Sequence, residues 1–123
     1  MKIYVASSWK NELQPKIVLA LTTLGHSVYD FHKNTHGFLW KNINDINSKE
    51  WEPNLFKTEL NTNSIVKKAF DVDYDAIVKA DCCVMVLPCG KSAHTEAGWF
   101  KGSGKKVYVV MLENDEPELM YKL

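Results

Sequence analysis

The chain has 123 residues, 46% of them hydrophobic, enough to bury one core and too few for two ordinary domains. Its 15 basic and 15 acidic side chains cancel, so no broad positive field exists to hold a nucleic-acid polymer by counterion release. No signal-peptide pattern opens the sequence and no apolar run reaches membrane-spanning length, so a soluble, cytoplasmic protein with no membrane partner is expected.

Residues 2–6 (KIYVA) read as a buried strand. Asn11 and Gln14, three apart, are expected to form a capping pair for the next helix, with Pro15 in its first turn. Leu13, Ile17, Ala20, Leu21 and Leu24 recur at helical spacing, and Gly25 stands where a helix end favours positive φ. Residues 26–31 are the second strand, and strand, helix and strand at this spacing imply a right-handed parallel crossover. From about 32 to 60 periodicity fades while Phe38, Trp40, Trp51 and Phe56 persist, the composition of an irregular lid-like segment over a pocket. Trp9, Trp40 and Trp51 either stack on a base or, for Trp40 and Trp51, cover the edge of a small core. His32 and His36 read as surface or lid residues, and 54–60 as a short helix.

Residues 64–80 are helical, with Val66, Ala69, Phe70, Ile77 and Ala80 as one apolar stripe and Asp73 inside it. A carboxylate among such neighbours is desolvated unless it is hydrogen-bonded or shares a proton. Asp71 and Asp75 face away, and Asp81 belongs to a turn. Residues 82–87 form the third strand, on which Cys82 and Cys83 face opposite sides and pack. Cys89 lies in the following turn, a setting that can activate a thiol. The three cysteines make neither a disulfide framework nor a zinc spacing, so no metal or cofactor is expected. The helix over 93–100 places Glu96 on one face with Ala93, Ala97 and Phe100, so the carboxylate points toward the sheet. Its place in the first turn, near unpaired N–H groups, is the plainer explanation of that carboxylate. A last strand over 105–112 and a short turn or helix over 116–121 complete the chain.

Four strands alternating with helices predict an α/β fold: a single doubly wound, flavodoxin-like domain over residues 1–123. Its parallel sheet would have four to five strands with helices on both faces. The first strand then lies between the second and third, which makes a switch point. Across it, loop 7–11, with Ser7, Ser8, Trp9 and Lys10, faces loop 88–92, with Gly90 and Ser92. Both loops precede helix N-termini and suit a phosphate or a sugar hydroxyl. Gly90-Lys91-Ser92 echoes a triphosphate loop, but Met85 occupies the earlier glycine position, and no dinucleotide glycine triad follows the first strand. Two inward acids, Asp73 and Glu96, remain beside this cradle, and paired carboxylates are the usual means of breaking glycosidic bonds.

At Ile3-Tyr4-Val5-Ala6-Ser7-Ser8, at Phe70-Asp71-Val72-Asp73 leading to Ala80-Asp81, and at Thr95-Glu96-Ala97-Gly98, the chain resembles the nucleoside 2-deoxyribosyltransferase family. That family includes the 2'-deoxynucleoside 5'-monophosphate N-glycosidases. The resemblance implies that Glu96 attacks C1' of the sugar and that Asp73 positions the sugar or moves the proton, while Tyr4 orients the glutamate. Transferases of the family place an acid six residues before the nucleophile, and nucleotide hydrolases place serine there; this chain has Gly90, with Ser92 close by. Ser8 and Lys10 match the phosphate-holding serine and arginine of the nucleotide branch. The implied activity is cleavage of the N-glycosidic bond of a (deoxy)nucleoside 5'-monophosphate or nucleoside, by hydrolysis or base transfer, in a homodimer or higher homo-oligomer. The alternatives are a non-catalytic nucleotide sensor using the same crevice, and a structural domain whose acids are satisfied in the core.

Overall fold

A computed structural model of the chain describes residues 1–34, 38–40, 43 and 52–123. His36, Trp51 and much of the lid-like segment lie outside the described residues. The elements are β1 (Lys2–Ala6), α1 (Gln14–Thr23), β2 (Ser27–Tyr29), α2 (Phe31–Asn34), α3 (Pro53–Thr62), α4 (Ser64–Lys79), β3 (Cys82–Val86), α5 (Lys91–Gly102) and β4 (Lys106–Val110), followed by a 3-10 helix (Leu119–Lys122). All strand pairs are parallel, in the order β2-β1-β3-β4, with Ile3 beside Val28 and Cys82, and Cys82 beside Lys106. The predicted α/β order and the switch point between β1 and β3 are therefore present.

Tertiary contacts divide the described chain into two compact units, residues 1–30 with 76–123, and residues 31–75, the division falling within α4. In the first unit the period-2 pleat sends alternate strand residues to two separate cores. Ile3, Val5, Cys82, Val84 and Val86 meet Leu13, Ile17, Val18 and Leu21 of the α1 region on one face. Tyr4, Ala6, Cys83 and Met85 meet Ala93, Ala97 and Phe100 of α5, with Ile77 and Ala80, on the other. Helices thus cover both faces, and Cys82 and Cys83 point to opposite sides as expected. The α4 end is held by Lys105, whose Nζ donates to the carbonyls of Ile77 at 3.2 Å, Val78 at 2.7 Å and Ala80 at 2.7 Å. A cation suits these orphan carbonyls, and the same ammonium lies 5.5 Å from the Trp99 and Phe100 ring centres. Asp81 binds the start of β1 reciprocally: Lys2 N donates to its Oδ2 at 2.7 Å, and Asp81 N donates to the Lys2 carbonyl at 2.8 Å.

In the second unit Trp40 packs edge-on to Phe38 at 5.3 Å and tilted against Phe56 at 5.1 Å. Phe31 is buried and stacks on the half-buried His32 at 4.4 Å. No described helix is long and apolar enough to cross a membrane.

Four sequence expectations are corrected. The Asn11–Gln14 capping pair does not form: α1 begins at Gln14, with Leu13 as an N-cap lacking a side-chain bond. Gln14 instead is fully buried, its Nε2 donating to Asp30 Oδ1 at 3.0 Å. Leu24 leaves the predicted stripe because α1 ends at Thr23; it is 74% exposed, and Val18 takes the buried position. The second strand is shorter than expected, since Phe31 starts α2. Phe70 is 60% exposed and stacks on Tyr74, so the α4 stripe is carried by Val66 and Ile77 without it.

Candidate active site

β1 and β3 are neighbours whose loops are tied together by one buried side chain. Asn11 shares its Nδ2 hydrogens among Ser7 Oγ at 3.0 Å, the Val86 carbonyl at 3.1 Å and the Pro88 carbonyl at 3.2 Å, and its Oδ1 accepts from Leu13 N at 2.9 Å. Ser7 Oγ donates to the same Val86 carbonyl at 2.8 Å. Ser7 therefore joins the two loops through its hydroxyl proton. Ser8 stays half-buried, its Oγ accepting from Lys10 N at 3.4 Å, while the Trp9 and Lys10 side chains are exposed.

Across from them Gly90 is the extended N-cap before α5, with no side-chain capping bond, so the first-turn amides keep their positive end toward the loop region. Gly90, Lys91 and Ser92 are exposed. One turn on, Glu96 is half-buried on the helix face whose other members, Ala93, Ala97 and Phe100, are buried in the core against β1 and β3. Tyr4 belongs to that same core, 1% exposed, stacked on Tyr29 at 5.1 Å and tilted to Phe100 at 5.7 Å. The Glu96 charge is felt inside. Burial first, and the Glu96 carboxylate second, push the Cys83 thiol up to about 12 and the Cys89 thiol up to about 11. Cys89 is therefore a protonated thiol near neutral pH and a poor nucleophile, despite its place before a helix N-terminus.

The raised thiols predict alkaline sensitivity. The folded chain holds the Cys83 proton more tightly than the unfolded chain, whose thiol titrates near 9.0, so this contribution is intact below that pH and is lost as pH climbs toward about 12. The unfolding free energy from denaturant titrations is expected to fall above about pH 9, by up to about 1.4 kcal/mol per pH unit for one such group. Cys83→Ala should flatten the slope while lowering stability at neutral pH; an unchanged slope would rule Cys83 out as its source.

Asp73 is half-buried on α4, and Asp71 and Asp75 are exposed. Trp40 is half-buried in its aromatic cluster. A shallow groove of about 480 Å³ runs along α4, lined by Thr62, Ser64, Lys67, Lys68, Asp71, Val72 and Asp75, and holds none of the candidate residues. Among the described residues no group of three or more His, Cys, Asp or Glu side chains is placed to bind a metal.

Sequence reasoning did not identify the loop-tying role of Asn11, nor a contact between α5 and the 3-10 helix in which His94 Nε2 meets Tyr121 OH at 2.7 Å. His94 carried a signal, since it follows Gly90 by four residues at a helix start, where a side chain can reach the carbonyl one turn back.

No protein-family model and no curated protein matches the chain. Among solved structures it is similar to a 2-deoxyribosyltransferase from the psychrotolerant bacterium Bacillus psychrosaccharolyticus, with a TM-score of 0.59 and 23% sequence identity over 98% of this chain and 79% of that one. At that identity the likeness shows the fold: a parallel α/β sheet shared with a deoxyribosyl-transferring enzyme.

Proposed function

We propose that the protein cleaves the N-glycosidic bond of a (deoxy)nucleoside 5'-monophosphate or nucleoside, with Glu96 as nucleophile. The observation that carries this reading is the half-buried Glu96, held on the sheet-facing side of α5, whose charge registers on the buried Cys83 and the half-buried Cys89 thiols. The structural neighbour's description as a 2-deoxyribosyltransferase, and the motif resemblance around Glu96 and Asp73, support it.

In the proposed reaction a Glu96 carboxylate oxygen bonds to C1' as the C1'–N bond breaks. The base leaves with the bonding electron pair and takes a proton from a general acid, the role that the motif resemblance implies for Asp73. Water, giving a proton back to that acid, then attacks C1' and releases Glu96, so two inversions retain configuration. An acceptor base in place of water makes the second step a transfer. Tyr4, buried under the same helix, keeps the glutamate oriented. Ser8, Lys10, Ser92 and the free amides at the start of α5 hold the 5'-phosphate or hydroxyl, since helix N-termini favour anions. Trp9, exposed on the β1 loop, offers a stacking face for the base. The absence of an acid at Gly90 favours a phosphorylated substrate by removing a like charge from that end of the crevice. A homo-oligomer acting in the cytoplasm belongs to the same reading.

Chromatography of free base released from deoxynucleosides, deoxynucleoside monophosphates and ribonucleotides, with and without an acceptor base, tests the proposal. Release from monophosphates without acceptor is expected. Release from nucleosides that requires acceptor would make the protein a transferase. No release from any member of the panel would overturn the enzymatic reading in favour of a nucleotide sensor.

A further inference from the structure

His94 is held at both ring nitrogens, and the partners lie on different elements. Its Nδ1 is 2.8 Å from the Gly90 carbonyl and its Nε2 is 2.7 Å from the Tyr121 hydroxyl, 27 residues away. A carbonyl only accepts, so Nδ1 carries the proton; Nε2 of the neutral ring then accepts from the Tyr121 O–H. The two rings also stack, 5.8 Å between centres and 16° from parallel. The Gly90 carbonyl takes a second bond from the His94 backbone N–H at 3.3 Å, so both polar ends of one residue hold the same peptide. Tyr121 packs on the core cluster, whereas Leu119, Met120 and Leu123 around it are exposed. The side chain of Tyr121 is thus the part of the 3-10 helix turned inward to meet α5.

Gly90 occupies the N-cap of α5, where the tilt of its peptide sets the direction of the first-turn amides. Its neighbour Cys89, half-buried, lies with Sγ 3.7 Å from His94 Nδ1, so the imidazole sits over the turn that leads into the helix. From this geometry we infer that His94 and Tyr121 are positioning residues for the substrate's 5' end. The segment after β4 fixes the Gly90 peptide through the imidazole and so sets how tightly the start of α5 binds a 5'-phosphate. The inference rests on the site proposed above and adds a determinant of specificity to it. It assigns neither residue to the bond-breaking step.

The test compares the whole protein with Tyr121→Phe, which keeps the ring stack and removes the hydroxyl, and with His94→Phe, which removes both nitrogens. Affinities for deoxyribose 5-phosphate and for deoxyribose are measured by calorimetry, alongside KM and kcat for a monophosphate and its nucleoside. Both variants should bind deoxyribose 5-phosphate about fivefold more weakly, the value of one neutral hydrogen bond, with deoxyribose affinity and kcat nearly unchanged. The double variant should lose no more than His94→Phe alone, because one chain of bonds is broken. Alkylation of Cys89 should quicken in both, with buried Cys82 and Cys83 protected, which reports the loosened turn independently of any turnover. Faster Cys89 alkylation with unchanged phosphate affinity would reduce the contact to a structural role and overturn the inference, as would a wild type that does not bind deoxyribose 5-phosphate. A wild type that releases no base but binds deoxyribose 5-phosphate in a Tyr121-dependent way would overturn the enzymatic reading and leave the positioning role standing.

Discussion

Glu96→Gln is expected to slow base release by about a thousandfold or more, with the melting temperature unchanged or slightly raised. Glutamine keeps the size and planar end of glutamate but offers no anionic oxygen to bond C1', so the sugar ester cannot form. The fold should tolerate the change. Ala93, Ala97 and Phe100 supply the apolar contacts of that helix face, and a neutral amide costs less to half-bury than a carboxylate. A second signature separates lost chemistry from lost structure. Glu96 is the second-largest cause, after burial, of the upward displacement of Cys89, so removing its charge should bring the Cys89 thiol back toward its ordinary range. Thiol titration followed by alkylation rate reads this without substrate. Full turnover by Glu96→Gln would remove the covalent mechanism, whatever the titration gave.

Asn11→Ala is expected to cost about 2–4 kcal/mol, which for a chain of this size lowers the melting temperature by roughly 10 °C. The side chain is buried and tethers three groups of two loops, while its carbonyl oxygen fixes the Leu13 amide ahead of α1. Truncation leaves the Pro88 carbonyl and the Leu13 N–H without this partner, and partly buried polar groups left unpaired cost more than the bonds themselves contribute. Asn11→Asp should do at least as much harm. It preserves the acceptor for Leu13 but turns a carboxylate toward the Val86 and Pro88 carbonyls, which have no proton to give. Thermal melts of the two variants settle the matter; a loss of under about 1 kcal/mol in Asn11→Ala would show that the loops are held by the Ser7 bond instead.

Strand β1, the helix over residues 64–79, the split of Cys82 and Cys83 between two faces, and the inward face shared by Glu96 with Ala93, Ala97 and Phe100 were all readable from local spacing. They follow from periods of 2 and 3.6 residues, which near neighbours in the sequence contain completely. The place of β1 between β2 and β3 was readable too, because short parallel crossovers leave few topologies. Local spacing misled where exposure depends on a distant partner. Phe70 sits on the expected helical stripe yet remains 60% exposed. It also misplaced Asn11, whose capping chemistry was right in kind, since its Oδ1 does accept a backbone N–H, but whose amide is engaged by carbonyls of the β3 loop.

The sequence by itself therefore determined the alternation of strands and helices, the parallel sheet and the choice of Glu96 as the acid to explain, because each depends on residues within a few positions of one another. Only the tertiary structure decided that Asn11 ties the two crevice loops, that Lys105 closes the end of α4 and that Tyr121 holds His94 over Gly90. Those roles come from backbone carbonyls and ring nitrogens that need partners, and which side chain reaches them is set by what folding brings within about 3 Å.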